Sequence, residues 1–225
     1  MQKPKLIIFD CDGVLVDSEV ISAKILVQEL AKINIAVSEQ HVFERFVGRS
    51  LADVAESLQM PISSDIFDKF NMAYHTSLLD AFSRELKGMA GVRNVISQLD
   101  VPYCVATSSG RRRTLNSLRL SDLASLFGEN VFTASQVNNG KPAPDLFLFA
   151  ARKMGVAPES CLVIEDSLAG VQAAQAAQMR VWRFTGGSHF AKMGPDFAKV
   201  SPAIPMFDTW DNFFEVDPNL KAEVS

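Results

Sequence analysis

The chain has 225 residues, of which 48% are hydrophobic and 21% charged, the composition of a globular protein of one or two domains. A formal net charge of -4 gives no electrostatic pull towards nucleic acid or an anionic membrane surface, and no run approaches the roughly 18 consecutive apolar residues of a membrane span. Cys11, Cys104 and Cys161 are odd in number and each sits in an apolar run, so they read as buried thiols rather than a disulfide framework; with Lys3 and Lys5 leading straight into a strand, no secretory signal is expected and a reducing cytoplasm is the expected compartment.

The first element is a strand over Lys5–Asp10, built on the apolar run Leu6-Ile7-Ile8-Phe9. In extended backbone residues i and i+2 point the same way, so Asp10 and Asp12 emerge together at its carboxyl end, Cys11 turns inward as a small core residue, and Gly13 lets the chain turn sharply. Two convergent carboxylates can hold a hard cation such as Mg2+; one can attack an electrophile and the other can carry a proton. A lone pair of this kind before glycine also makes an Asx-turn, and it is the later strand ends that favour chemistry.

Between Asp17 and about Gly88 the period changes. Ile21, Ile25, Leu30 and Ile33, then Val42 and Phe46, then Leu51, Val54 and Leu58 recur at helical spacing, with Ser50 and Ser63 as expected helix caps. The pattern predicts a helical cap over residues 17–87, inserted after the first strand of an α/β core formed by residues 1–16 and 88–225. His41 and His75 fall in this cap and are expected to do no chemistry; Phe67, Phe70, Phe147 and Phe149 are expected in the core. Further strands follow at Tyr103–Thr107, Val131–Thr133, Cys161–Glu165 and Arg180–Phe184, separated by helix-length segments, which predicts a doubly wound, mostly parallel sheet. The short apolar run Ile204–Phe207 receives no assignment.

Three strand ends carry further polar groups. Thr107, Ser108 and Ser109 lead towards a helix whose free N–H groups can receive a phosphate, with helix capping as the plain alternative. Pro142 and Pro144 restrict the backbone beside Lys141, which can neutralise a transferring group, and Asp145 is expected to cap the next helix. Glu165 and Asp166 repeat the strand-then-carboxylate pattern and can complete a magnesium site with Asp10; Glu165 would also suit a helix start on dipole grounds. The run Arg111-Arg112-Arg113 near a helix start opposes the dipole and points to an anionic partner, with Arg111 as the preferred contact for distal substrate charge. Gly186-Gly187-Ser188-His189 reads as a loop in which His189 has no evident partner.

Taken in order, Asp10-Cys11-Asp12-Gly13, Thr107, Lys141 and Glu165-Asp166 resemble the four motifs of the haloacid dehalogenase superfamily, in the helical-cap subfamily that includes β-phosphoglucomutase and sugar-phosphate phosphatases. The resemblance covers nearly the whole chain and implies a Rossmann-like core. It implies that Asp10 is the nucleophile forming an aspartyl-phosphate and that Asp12 protonates the leaving alkoxide, then deprotonates water. Mg2+ would be held by the Asp10 carboxylate, the Asp12 main-chain carbonyl and the Asp166 carboxylate, with Glu165 near it or acting through water. Thr107, Ser108, Ser109 and Lys141 would surround the phosphoryl oxygens. Gly48-Arg49-Ser50 resembles the cap loop that faces the site, which makes Arg49 the expected substrate contact, while Leu51 stands where the mutase has an arginine.

The resemblance thus implies an Mg2+-dependent phosphatase of a small phosphorylated metabolite, a sugar phosphate or sugar-acid phosphate of the phosphogluconate kind, acting as a monomer or weak homo-oligomer. A phosphosugar mutase is the nearest alternative. A non-catalytic phospholigand-binding protein is less favoured, because no motif residue is missing. A dehalogenase would lack an acid at Asp12, and a P-type pump would carry threonine there together with membrane spans.

Overall fold

The computed structural model describes residues 3–60, 65–193 and 204–222; the cap expected at Ser63 lies outside them. In chain order the strands are β1 (Leu6–Phe9), β2 (Tyr103–Thr107), β3 (Val131–Thr133), β4 (Cys161–Glu165), β5 (Arg180–Phe184) and β6 (Met206–Phe207). The helices are α1 (Glu19–Lys32), α2 (Glu39–Arg45), α3 (Leu51–Ser57), α4 (Asp65–Glu85), α5 (Val92–Ser97), α6 (Arg111–Leu120), α7 (Ala124–Phe127), α8 (Asp145–Lys153), α9 (Leu168–Ala176) and α10 (Phe213–Val216).

The six strands form one parallel sheet in the order β3-β2-β1-β4-β5-β6. Its central strands read as unbroken apolar runs because helices cover both faces, and alternation along each strand sorts their side chains. Ile7, Phe9, Val105, Leu162 and Ile164 enter one apolar cluster, while Leu6, Ile8, Cys104, Ala106 and Val163 enter a second with Leu146, Phe147 and Ala150 of α8 and Ala173 and Ala174 of α9. The first cluster continues into the inserted helices through Leu26, Leu30, Phe43, Val54, Leu78 and Phe82. The chain leaves and re-enters the sheet layer side by side: the Asp17 N–H donates to Lys87 O at 3.0 Å, and Val16 bridges to Gly88.

Local chemistry explains the helix starts. Ser50 begins α3 in a reciprocal capping box with Asp53. Ser18 stands at the start of α1 but makes no side-chain cap, because its hydroxyl is committed to Asp12. The expected cap at Asp145 is corrected: Pro144 occupies that position, its ring-fixed φ being already helical. Asp145 is therefore the first helical residue, where its charge suits the dipole, and it accepts from Asn139 Nδ2 at 3.0 Å.

The unassigned run Ile204–Phe207 supplies β6, an edge strand pairing Met206 with Arg183 and Phe207 with Phe184. Two residues are too few for a periodic signal. Behind it Trp210 is buried, tilted against Phe184 and Phe213 and edge-on to Phe207, and its Nε1 donates to Val14 O at 3.2 Å. The tail thus braces the loop that follows β1. Among the described residues, no helix is long and apolar enough to cross a membrane.

Candidate active site

The strand order reverses between β1 and β4, the position at which open α/β sheets form a crevice at their carboxyl ends. Pairing of Phe9 with Ile164 sets Asp10 beside Glu165. Lys141 arrives from the loop before α8 and is bonded to both: its Nζ lies 2.7 Å from Asp10 Oδ1 and 2.6 Å from Glu165 Oε1. Glu165 Oε2 accepts from the N–H groups of Asp166 and Ser167 at 2.8 Å each and from Ser167 Oγ at 3.0 Å. Ligand atoms of Asp10, Glu165 and Asp166 all lie within 4.8 Å of one another.

Three carboxylates around one ammonium leave this buried space short of positive charge. Burial raises the Asp10 carboxyl well above the ordinary range, partly countered by Lys141 and reinforced by Glu165 and Asp166. Burial and then Glu165 raise Asp166 likewise. Burial works against the Lys141 ammonium, but Asp10 and Glu165 outweigh it and hold its pKa above that of an ordinary lysine. Asp166 Oδ2 is buried and accepts no hydrogen bond, an acceptor that a hard cation would satisfy.

Asp12 sits in a different environment. Its Oδ1 accepts from Ser18 Oγ at 2.6 Å and Arg113 Nη2 at 2.8 Å, and its Oδ2 from Ser109 Oγ at 2.6 Å. Burial opposes its ionised form, but the Arg113 charge and these hydrogen bonds prevail and lower its pKa. Next along, Gly13 has φ +78°, and a Cβ there would overlap Asp166 Oδ2, so only glycine lets the two strand ends approach.

Thr107 is buried at the end of β2, its Oγ1 accepting the Ser109 N–H at 3.1 Å. Gly110, without a side-chain cap, starts α6, so neither Thr107 nor Ser108 is spent on capping that helix. A cavity of about 230 Å³ is lined by Asp10, Asp12, Thr107, Ser109, Arg113 and Lys141, with Ser22 and Tyr74 from the inserted helices. A larger cavity of about 910 Å³ reaches Asp166, Arg183 and His189. Val47, Arg49, Ser50, Ser108, Lys141 and Ser167 border both, and Gly48 packs against Ser167, so the loop around Arg49 divides one cleft in two. Exposed Arg49 is within reach of both halves.

The structure brings together Asp10, Asp12, Gly48, Arg49, Thr107, Ser108, Ser109, Lys141, Glu165 and Asp166 around these two cavities. Arg111 is elsewhere, its Nη1 donating to Val131 O at 3.0 Å and its Nη2 lying 3.4 Å from Glu129; it lines neither cavity, whereas Arg113 lines the smaller one. Their partners separate them: Arg113 Nη2 meets Asp12 and Ser22 while Arg111 turns to Val131 and Glu129; helical period does not, since Thr114 and Leu118, three and seven residues after Arg111, are as buried as Ser117, four after Arg113.

The reading of His189 is also corrected. It is buried within the 3-10 turn Ser188–Ala191, its Nε2 lies 3.2 Å from Asp166 Oδ2, and its ring lies tilted against Phe190. The preceding glycine pair was the available signal, since a Cβ on Gly187 would stand 2.6 Å from His189 Cε1. Cys11, Phe70 and Phe147 are buried, with Phe67 and Phe149 packed partly buried against the two clusters. His41 is exposed and lines neither cavity, while His75 borders the smaller one.

Gly170 offers a check on the Glu165 anchor. A Cβ there would overlap the Glu165 carboxylate, so Gly170→Ala is expected to unseat it from Lys141 and cost about 1–3 kcal/mol. Thermal melting should fall by about 2–4 °C for each kcal/mol; an unchanged midpoint would show that Glu165 is not held as described.

The family model described as "Haloacid dehalogenase-like hydrolase" matches residues 7–184. A 6-phosphogluconate phosphatase of Escherichia coli K12 is 28% identical over 190 residues, covering 84% of this chain and 86% of its own. A phosphorylated carbohydrates phosphatase of Thermotoga maritima is 33% identical over 180 residues, covering 76% and 80%. Among solved structures, a hydrolase of Deinococcus radiodurans with bound phosphate and sodium superposes with a TM-score of 0.74 at 27% identity, covering 99% of this chain and 100% of its own.

Proposed function

This chain belongs to the haloacid dehalogenase-like hydrolases and is a phosphoric monoester hydrolase, and from that premise we propose that it is an Mg2+-dependent phosphatase of a sugar phosphate or sugar-acid phosphate. The reaction proceeds through an aspartyl-phosphate on Asp10. The observation that carries this reading is the separation of two carboxylates by environment: Asp10 clustered with Lys141, Glu165 and Asp166, and Asp12 held apart by Ser18, Ser109 and Arg113. With no metal bound, burial favours the protonated form of Asp10 and the Arg113 charge the ionised form of Asp12, so the cation that Asp10 and Asp166 would hold is what would free Asp10 to act as the anion, and Asp12 takes up a proton before it serves as the acid. The segment 17–87 acts as a cap over the cleft, hinged where Asp17 meets Lys87.

The donor set fits Mg2+. The Asp10 and Asp166 carboxylates and the Asp12 main-chain carbonyl would hold it, while Glu165, both of whose oxygens already take protein donors, contributes charge or acts through water. When bound, the ion offsets the repulsion between an anionic nucleophile and an anionic ester.

The remaining chemistry belongs to the chain. An Asp10 carboxylate oxygen forms a bond to phosphorus as the ester P–O bond breaks, and Asp12 delivers a proton to the departing alkoxide. Asp12 then takes a proton from water, whose oxygen attacks phosphorus and frees Asp10 with release of phosphate. Lys141 holds Asp10 Oδ1 in place and balances charge on the phosphoryl group. Thr107 Oγ1 and the N–H groups opening α6 receive its oxygens, and closure of the cap excludes other water.

Phosphate release from a panel of phosphorylated metabolites, with Mg2+ or with chelator, tests the reading. Release is expected only with metal, and Mg2+ at about 100 times its Kd should add about 2.7 kcal/mol of stability in thermal melts. Release undiminished by chelator would overturn the metal assignment, and isomer formation from sugar 1-phosphates without phosphate release would identify a mutase.

A further inference from the structure

Lys141 bonds two of the three clustered carboxylates, Asp10 and Glu165, whereas Asp166 Oδ2 is buried and accepts no hydrogen bond. A carboxylate that receives a cation needs a fixed orientation, which polar groups behind the ligands usually set. Here β5 and the turn after it stand in that place. Arg183 Nε donates to the Asp166 main-chain O at 3.0 Å, and His189 Nε2 lies 3.2 Å from Asp166 Oδ2. Phe190 packs on both, its ring centroid 4.3 Å from that of the imidazole and 5.3 Å from the guanidinium carbon. Two glycines close the space: a Cβ on Gly13 would overlap Asp166 Oδ2, and one on Gly187 would stand 2.7 Å from His189 Nδ1. Ser188 pins the turn from outside, its N–H and Oγ donating to Asp17 Oδ1 at 3.1 and 2.8 Å.

The imidazole hydrogen follows by elimination. His189 Nδ1 is buried with no hydrogen-bond partner among the described residues, so a hydrogen there would be a donor left unmade, while Nε2 faces a carboxylate oxygen. The pair is not aligned as a hydrogen bond, so the attraction is that of a nearby N–H dipole, kept close by the packing of Phe190, Gly13 and Gly187. A carboxylate has lone pairs for both an N–H and a cation. We propose that His189 is a positioning residue, whose Nε2–H keeps the Asp166 carboxylate turned towards the cation that Asp10 and Asp166 would hold. The inference rests on the Mg2+ reading above and adds to it a residue that touches neither substrate nor ion.

Mg2+ affinity, measured by calorimetry, tests this apart from turnover. His189→Met and His189→Gln carry unbranched side chains of similar length, of which glutamine alone has N–H donors. His189→Met should raise the Mg2+ Kd by about 10–100-fold, and His189→Gln should recover a substantial part of that loss. A Kd in His189→Gln no tighter than in His189→Met would overturn the inference, because ring volume and not the N–H would then be what matters, and would leave the Mg2+ reading intact. Absence of Mg2+ binding by the wild type would overturn both. Nitrogen NMR of the wild-type imidazoles locates the hydrogen directly and decides even if neither variant folds: it is expected on Nε2 of His189, and a bare Nε2 would overturn the inference.

Discussion

Asp10→Asn should abolish phosphate release while the protein stays folded. An amide is not a competent nucleophile towards phosphorus, and no neighbouring carboxylate can substitute: Glu165 is tied down by Lys141 and three further donors, and Asp12 is turned to Ser18, Ser109 and Arg113. A fall in kcat of at least about 10⁴-fold is expected, as for removal of other covalent nucleophiles. Stability should move the other way or not at all. Burial raises the Asp10 pKa above its unfolded value, so its ionised form contributes nothing favourable once the pH passes the folded pKa. Asparagine carries no such burden and relieves the repulsion with Glu165 and Asp166. Metal-free melting at pH 8 should therefore be equal to or above wild type. Turnover retained in a clean preparation would remove Asp10 from the nucleophile's role.

Lys141→Ala should be the most damaging of the single changes to the fold, and should slow the reaction as well. It removes the ammonium at 2.7 Å from Asp10 and 2.6 Å from Glu165 and leaves Asp10, Glu165 and Asp166 clustered within 4.8 Å with no cation among them. Breaking a buried pair by removing one partner costs about 3–5 kcal/mol, a fall in melting midpoint on the order of 10 °C. Mg2+ should recover part of that loss, because it supplies the missing positive charge, but kcat should remain about 10²–10³-fold down for want of a preorganised charge on the phosphoryl group. Metal-free melting unchanged from wild type would show that the cluster does not depend on Lys141.

Much of this site was legible along the chain because its parts are local. A strand ending in Asp10-Cys11-Asp12-Gly13 states where two carboxylates emerge, and Thr107, Lys141, Glu165 and Asp166 each close or follow an element whose period or prolines are visible nearby. The inserted helices announced themselves by a change of apolar spacing after Asp17. Apart from the local cap expected at Asp145, which Pro144 takes, the failures share one cause, which is contact across sequence distance. Arg113 meets Asp12 across 101 residues, and choosing it over Arg111 required the distant partners that each guanidinium meets. His189 meets Asp166 because β5 and the turn after it lie beside β4. The two-residue strand β6 exists through its pairing with Arg183 and Phe184.

The sequence by itself determined the elements, their parallel order of strand and helix, and the identity of the groups at the strand ends, since local backbone preference and apolar period are written in neighbouring residues. Tertiary structure alone decided which charges those groups face. Asp10 became the buried, lysine-bonded carboxylate and Asp12 the guanidinium-bonded one because the sheet order sets β4 on one side of β1 and β2, leading to α6, on the other. Protonation, metal affinity and substrate choice are properties of that encounter, and its energy depends on burial and partners that no window of sequence contains.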